Sequence, residues 1–169
     1  LSAAELERLG ASLRLGETEG LPWVVDESNP KAKHAPKVRR ATVIEPHAAA
    51  AIRLLLLTGC RLREILHLEW DHVDMERGLL NLADSKTGRK TVVVNAAALK
   101  VLANVEKISR FVIAGEHPEK PRRDLKRPWA AVTRHAGLTG LRIHDLRHNF
   151  ASFGAGGGLG LPIIGKLLG

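Results

Sequence analysis

Residues 144–152, HDLRHNFAS, place His144, Asp145, Arg147 and His148 within five positions of one another, followed by apolar residues. On a helix that advances about 100° per residue, Ile143, Leu146 and Phe150 share one side and read as a core face. His144, Arg147 and His148 fall on an adjacent stripe, while Asp145 projects separately near the helix start, where the dipole favours an acid. Taken alone, this is equally a solvated polar face with a partly buried histidine. A second group, TGCRLREIL (58–66), sets Arg61 just behind a glycine and Glu64 one turn further on the same face. An ordinary surface ion pair would look the same. Between the two groups, SKTGRK (85–90) offers Lys86 and Lys90 at a hairpin tip, a place that is often basic for solubility alone.

Together, two arginines, a lysine and a histidine describe a site for a phosphate. A phosphodiester under attack gathers negative charge on its non-bridging oxygens, which planar guanidinium groups grip in pairs. Lysine is suited to give a proton to a departing alkoxide and histidine to shuttle one. What is missing is a nucleophile: the 169 residues hold no tyrosine and one cysteine, Cys60. Cys60 and Ser152 lack neighbours that would activate them, and Cys60 borders an apolar run that assigns it to packing. No metal or other cofactor is expected. Asp71, Asp74 and Glu76 follow the first group as a turn would, and a two-metal site needs carboxylates from several elements.

The elements that must carry these residues are mostly helical. SAAELERLGASLRL begins with a capping-box pattern, Ser2 to Glu5, and continues with Leu6, Leu9 and Leu13 at helical spacing. Residues 16–45 lose that period; Pro22, Pro30 and Pro36 and the basic run KAKHAPKVRR predict an extended surface excursion with a short apolar anchor at Leu21–Val25. Pro46 opens a helix to Leu57 that is apolar nearly all round, hence buried and central. RLREILHL restarts a short helix, and GLLNLA and TVVVN flank a Gly-containing turn as a β-hairpin. AAALKVLANVEKI reads as a helix, FVIAG as a short strand, EHPEKPRRDLKRP as a basic loop and PWAAVTRHAG as a helix behind Pro128. GAGGGLG then interrupts the pattern, and PIIGKLLG begins a further helix. The expected fold class is mainly α with a small antiparallel β-sheet.

Composition agrees with a single globular domain: 44% hydrophobic and 26% charged residues are too apolar for wholesale disorder. A net charge of +8 points to a polyanionic partner. The longest apolar stretch, AAAAIRLLLLTG, falls short of a membrane span and contains Arg53. One cysteine excludes an internal disulfide framework and is compatible with a reducing cytoplasm. The first residue is not methionine, and the chain reads as an excised domain.

In order and spacing, TGCRLREIL, the SKTGRK hairpin and HDLRHNFAS resemble the catalytic domain of tyrosine recombinases of the phage-integrase family, over nearly the whole of residues 1–169 except the 16–45 excursion, which is longer than usual. That resemblance implies catalytic roles for Arg61, Lys86, His144 and Arg147, with Lys86 the general acid for the 5′-oxygen. It implies supporting roles for Glu64, His148 and Asp145. It also implies a His or Trp after an LLG segment and a tyrosine nucleophile beyond. Lys166-Leu167-Leu168-Gly169 ends just before both, so the catalytic domain is expected to be incomplete at its C-terminus and inactive alone. In its complete form the resemblance implies a phage- or genomic-island-encoded bacterial enzyme. It would break and rejoin duplex DNA attachment sites through a 3′-phosphotyrosyl bond, as a homo-tetramer at the synapse. Accessory DNA-bending proteins, a cytoplasmic, nucleoid-associated location and no membrane partner go with it. DNA-backbone contacts are expected from Lys31, Lys33, Lys37, Arg39, Arg40, Lys90, Arg122, Arg123, Lys126 and Arg127. Two rivals are a type IB topoisomerase, and a DNA-binding remnant or regulator that has lost catalysis.

Overall fold

The computed structural model describes residues 1–25, 28, 30, 32–34, 40–85 and 88–155. Helix α1 (Ala3–Thr18) starts at a reciprocal capping box: the Ser2 hydroxyl accepts from the Glu5 N–H, and the Glu5 carboxylate accepts from the Ser2 N–H at 2.7 Å. Leu6, Leu9 and Leu13 form its buried stripe. Strand β1 (Leu21–Pro22) pairs antiparallel with β2 (Ala41–Thr42), Leu21 opposite Thr42. These two short strands clasp the ends of the 16–45 segment, and Trp23 N–H adds a bond to the Arg40 carbonyl. A Cβ on Gly16 would meet Ile44 Cγ1 at 2.5 Å, so a side chain there would push the clasp off α1. The sequence predicts only an apolar anchor at this place, because its partner strand lies about twenty residues away.

Helix α2 (Pro46–Thr58) is the axis of the fold, with every residue from His47 to Thr58 buried. Pro46 opens it without loss of a hydrogen bond, since its position needs no donor. Gly59 closes it in the left-handed conformation, φ 62°, with its N–H bonded to the Leu55 carbonyl. Its one charged residue, Arg53, pairs with Glu17 of α1 at 2.7 Å. Helix α3 (Leu62–Leu66) follows at once. Strands β3 (Val73–Asp74), β4 (Leu79–Ser85) and β5 (Gly88–Val93) then form an antiparallel sheet in that order. The hairpin matches the sequence reading; β3 is too short to show a period.

Helix α4 (Ala96–Asn104) is capped by the Asn95 side chain, which accepts from Ala98 N–H and donates to the Leu57 carbonyl, pinning α4 to α2. It ends before VEKI, short of the expected length. FVIAG is not a strand: only Phe111 bridges, to Glu69, and Val112 N–H bonds Leu68. Residues 111–114 are instead buried as irregular chain. Helix α5 (Lys126–His135) starts two residues ahead of Pro128, which sits in the first turn where a missing N–H is tolerated. It packs on α1, and α6 (Asp145–Ala155) packs on α2. The expected PIIGKLLG helix and the GAGGGLG stretch beyond Ala155 lie outside the described residues. The observed class is mainly helical with two small antiparallel sheets. Among the described residues, no helix is long and apolar enough to cross a membrane.

Candidate functional site

The buried end of α2 fixes the first half of the site. Because Gly59 turns the chain through a left-handed residue, Cys60 packs inward and Arg61 begins α3 with its side chain partly exposed. Glu64, one turn on, keeps only 4% of its side chain exposed and has three donors. Oε1 accepts from Arg61 Nη1 at 2.9 Å, and Oε2 accepts from the Arg61 backbone N–H at 2.8 Å. Oε2 also accepts from Lys90 Nζ of β5 at 3.3 Å. Burial would raise this carboxyl. The Arg61 N–H, the Lys90 charge and the Arg61 guanidinium outweigh that effect and hold it below its ordinary value. Glu64 is therefore a fixed anion.

Helix α6 supplies the second half. Leu146 is fully buried against the core. Arg147 Nη1 donates to the Gly59 carbonyl at 2.6 Å, so its guanidinium reaches the same turn that carries Arg61. Phe150 lies over Gly59, and a Cβ there would meet Phe150 Cδ1 at 2.4 Å. Two features of Gly59 therefore matter, its left-handed backbone and its missing side chain. Sequence reasoning takes this residue for a helix stop only; its carbonyl and the overlying ring are visible only in three dimensions. His144 and His148 are exposed and meet edge to face, ring centroids 5.4 Å apart. Asp145 accepts from the Arg142 N–H at 2.9 Å and pairs with the Arg142 guanidinium, bonds that hold its carboxyl below the ordinary range.

Among the described residues, three cations, Arg61, Lys90 and Arg147, and one carboxylate, Glu64, gather around Gly59 and Cys60. The surplus is positive and faces a partly open surface, an arrangement that receives an anion. The Cys60 thiol lies among these charges, but burial pushes its pKa up, which suits packing rather than attack. Among the described residues, no group of three or more His, Cys, Asp or Glu side chains is arranged to hold a metal ion.

The residues expected along a DNA backbone are scattered. Lys33 and Arg40 are exposed on the excursion, and Arg123, Lys126 and Arg127 are exposed before and at the start of α5. Arg122 has internal partners: it pairs with Glu45 and donates to the Ala114 carbonyl at 3.0 Å. Lys90 likewise turns inward to Glu64. Lys31, Lys37, Arg39 and Lys86 lie outside the described residues.

Residues 33–169 match the phage integrase family. The integrase of Salmonella phage P22 is 28% identical over 194 aligned positions, covering 98% of this chain and 49% of its own length. Tyrosine recombinase XerA of Thermococcus kodakarensis is 28% identical over 160 positions, 88% of this chain and 57% of that protein. The chain spans about half the length of these curated relatives. Among solved structures, a lambda integrase (75–356) dimer bound to a COC′ core site is similar at a TM-score of 0.56 with 19% identity. It covers all of this chain and 56% of its own. A XerA recombinase is similar at 0.52 and 20% identity, covering 83% of this chain and 59% of that one. Both show the fold.

Proposed function

We propose a function for this chain from one premise: it belongs to the phage integrase family. Residues 1–169 act as part of the catalytic domain of a site-specific tyrosine recombinase, an integrase of a phage or genomic island, that breaks and rejoins DNA. The observation that carries the reading is the convergence of Arg61 and Arg147 on the single turn at Gly59, with Glu64 fixing the first. Two guanidinium groups so held address the non-bridging oxygens of one phosphate. Preorganised donors of this kind are typically worth ~10²–10³ each in rate.

In the reaction, a tyrosine hydroxyl attacks the scissile phosphorus, giving its proton to His144, and a 3′-phosphotyrosyl bond forms. The bond to the 5′-oxygen breaks, and that oxygen leaves with a proton from Lys86. Rejoining reverses these steps with a new 5′-hydroxyl. The 169 residues contain no tyrosine, so the nucleophile is not among them. Arg61 and Arg147 hold the phosphate, and His144 exchanges a proton beside it. Asp145 and His148 support that helix, Asp145 by closing its first turn on Arg142. The partner is duplex DNA at paired attachment sites, in a homo-tetramer and in the cytoplasm at the nucleoid. A DNA partner agrees with the positive charge and with the DNA-bound dimer of lambda integrase. The exposed Lys33, Arg40, Arg123, Lys126 and Arg127 track the backbone.

The test uses the product of the complete reading frame and a nicked duplex that traps the covalent intermediate. The wild-type protein should yield a protein–DNA adduct. Arg147→Lys should abolish it while leaving duplex affinity within about threefold, because lysine keeps the charge and loses the fork. Cleavage by Arg147→Lys at the wild-type rate would refute the assignment. A wild-type protein that binds DNA without any adduct would favour the non-catalytic remnant.

A further inference from the structure

Among the described residues, Lys90 is the cation of the site whose side chain comes from the sheet. On β5, Lys90 and Val92 are partly buried while Arg89, Thr91 and Val93 face outward, so Lys90 lies on the inward face. It pairs in register with Leu82, a buried core residue and the last regular pair before the register shifts toward Ser85. From that rigid position its ammonium reaches Glu64 Oε2 at 3.3 Å, the same oxygen that takes the Arg61 backbone N–H.

We propose that Lys90 is a positioning residue of the arginine site rather than a DNA contact: by holding the buried Glu64 carboxylate from the sheet side, it fixes the guanidinium of Arg61 from the other. The reason is one of balance. Glu64 is almost wholly buried, and a buried carboxylate keeps its charge only where enough charged donors face it. Arg61 supplies two from the α3 side; Lys90 supplies the third and ties the sheet to α3. Without it, one cation would have to compensate a buried anion alone, and Arg61 would be drawn inward, away from an incoming phosphate. Among the described residues, Arg61 on its own turn and Lys90 from β5 are the charges facing Glu64. The Cys60 thiol lies beside them, with Arg147 of α6 as its further charged neighbour. The inference deepens the recombinase reading and rests on it only for what Arg61 holds.

Two measurements on the 169-residue chain test it. Side-chain carboxyl NMR follows the titration of Glu64 without any DNA, so its outcome is independent of the recombinase reading. The Glu64 midpoint should move up in Lys90→Met, return in Lys90→Arg, and stay in place in Val92→Ala, which loosens the same strand without removing charge. A midpoint unmoved in Lys90→Met, not restored by arginine, or moved as far by Val92→Ala overturns the proposal. Lys90→Gln repeats the measurement should the methionine variant lose its dispersed amide spectrum. The second measurement is duplex binding across a salt series. Lys90→Met should keep the wild-type slope of log affinity against log salt. A slope shallower by about 0.9, the loss of one phosphate contact, makes Lys90 a DNA ligand and overturns the proposal.

Discussion

The two arginines of the site are held by opposite means. Arg61 is gripped by a carboxylate that is itself buried and shared with Lys90, so its position depends on an ionised group. Arg147 is held by the Gly59 main-chain carbonyl, which carries no net charge and does not titrate. The first arrangement orients a guanidinium at the cost of part of its charge; the second orients one and leaves its charge whole. Under the proposed function, a phosphate entering between them would meet one partly neutralised fork and one unreduced fork. The geometry of both depends on the same left-handed residue.

Gly59→Ala should break both halves and have the largest effect. The new Cβ would sit in a left-handed backbone and against Phe150 Cδ1 at 2.4 Å. Left-handed strain and overpacking together should cost about 2–4 kcal/mol, read as a lowered urea midpoint. Gly59→Ala with Phe150→Leu should recover the packing share and not the backbone share. Full recovery would mean that the left-handed turn is not needed. Glu64→Gln should break only the first half. Its donors Arg61 and Lys90 are each about one-third exposed (35% and 32%) and partly compensated by water, so the loss should be about 1–2 kcal/mol. The sign with pH follows from the lowered Glu64 carboxyl. Its contribution is fully present above the ordinary carboxyl value of 4.5 and fades as pH falls through the lower folded value. Glu64→Gln should flatten stability in that acid window. Arg147→Gln should leave acid-window stability unchanged, since a carbonyl holds Arg147; an equal flattening would remove the distinction.

The two halves also differ in how far the sequence reveals them. The first half is local. Gly59, Arg61 and Glu64 lie within six residues behind a helix that is apolar nearly all round, so its stop, its turn and the ion pair are all readable from spacing. The cap at Ser2 and Glu5 is readable for the same reason. The second half is legible as a stripe, His144, Arg147 and His148, but not as a contact, because the Gly59 carbonyl is 88 residues from Arg147. Lys90 misleads in the same way. Its place near a hairpin tip suggests exposure, whereas the alternation of β5 turns it inward. Arg122 reads as loop charge because Glu45, its partner, is 77 residues away. The β1–β2 clasp and β3 are two-residue strands whose existence depends on partners, and FVIAG is buried by packing against α2 and Leu68 rather than by a ladder. Period and punctuation report what a segment does with its own neighbours; these elements are made by distant ones.

Cys60 separates the halves with the smallest perturbation. It lies between Gly59 and Arg61, 2% exposed, and burial raises its thiol despite the Thr58 bond and the nearby Lys90 and Arg147 charges. With little thiolate and no access, alkylation in the native state must wait for an opening. Which half must open depends on what covers the thiol. Phe150 and Arg147 of α6 lie across the Gly59 turn, whereas Glu64 of α3 and Lys90 of the sheet form the other side. Iodoacetamide labelling should therefore be accelerated more by Phe150→Ala, which thins the α6 cover, than by Lys90→Arg, which keeps the charge. If duplex DNA is held by both arginines as proposed, it should slow labelling of the unsubstituted chain. Labelling of the native chain at the rate of the unfolded chain would show that α6 does not cover Cys60. Equal acceleration by the two substitutions would show that the halves open as one unit.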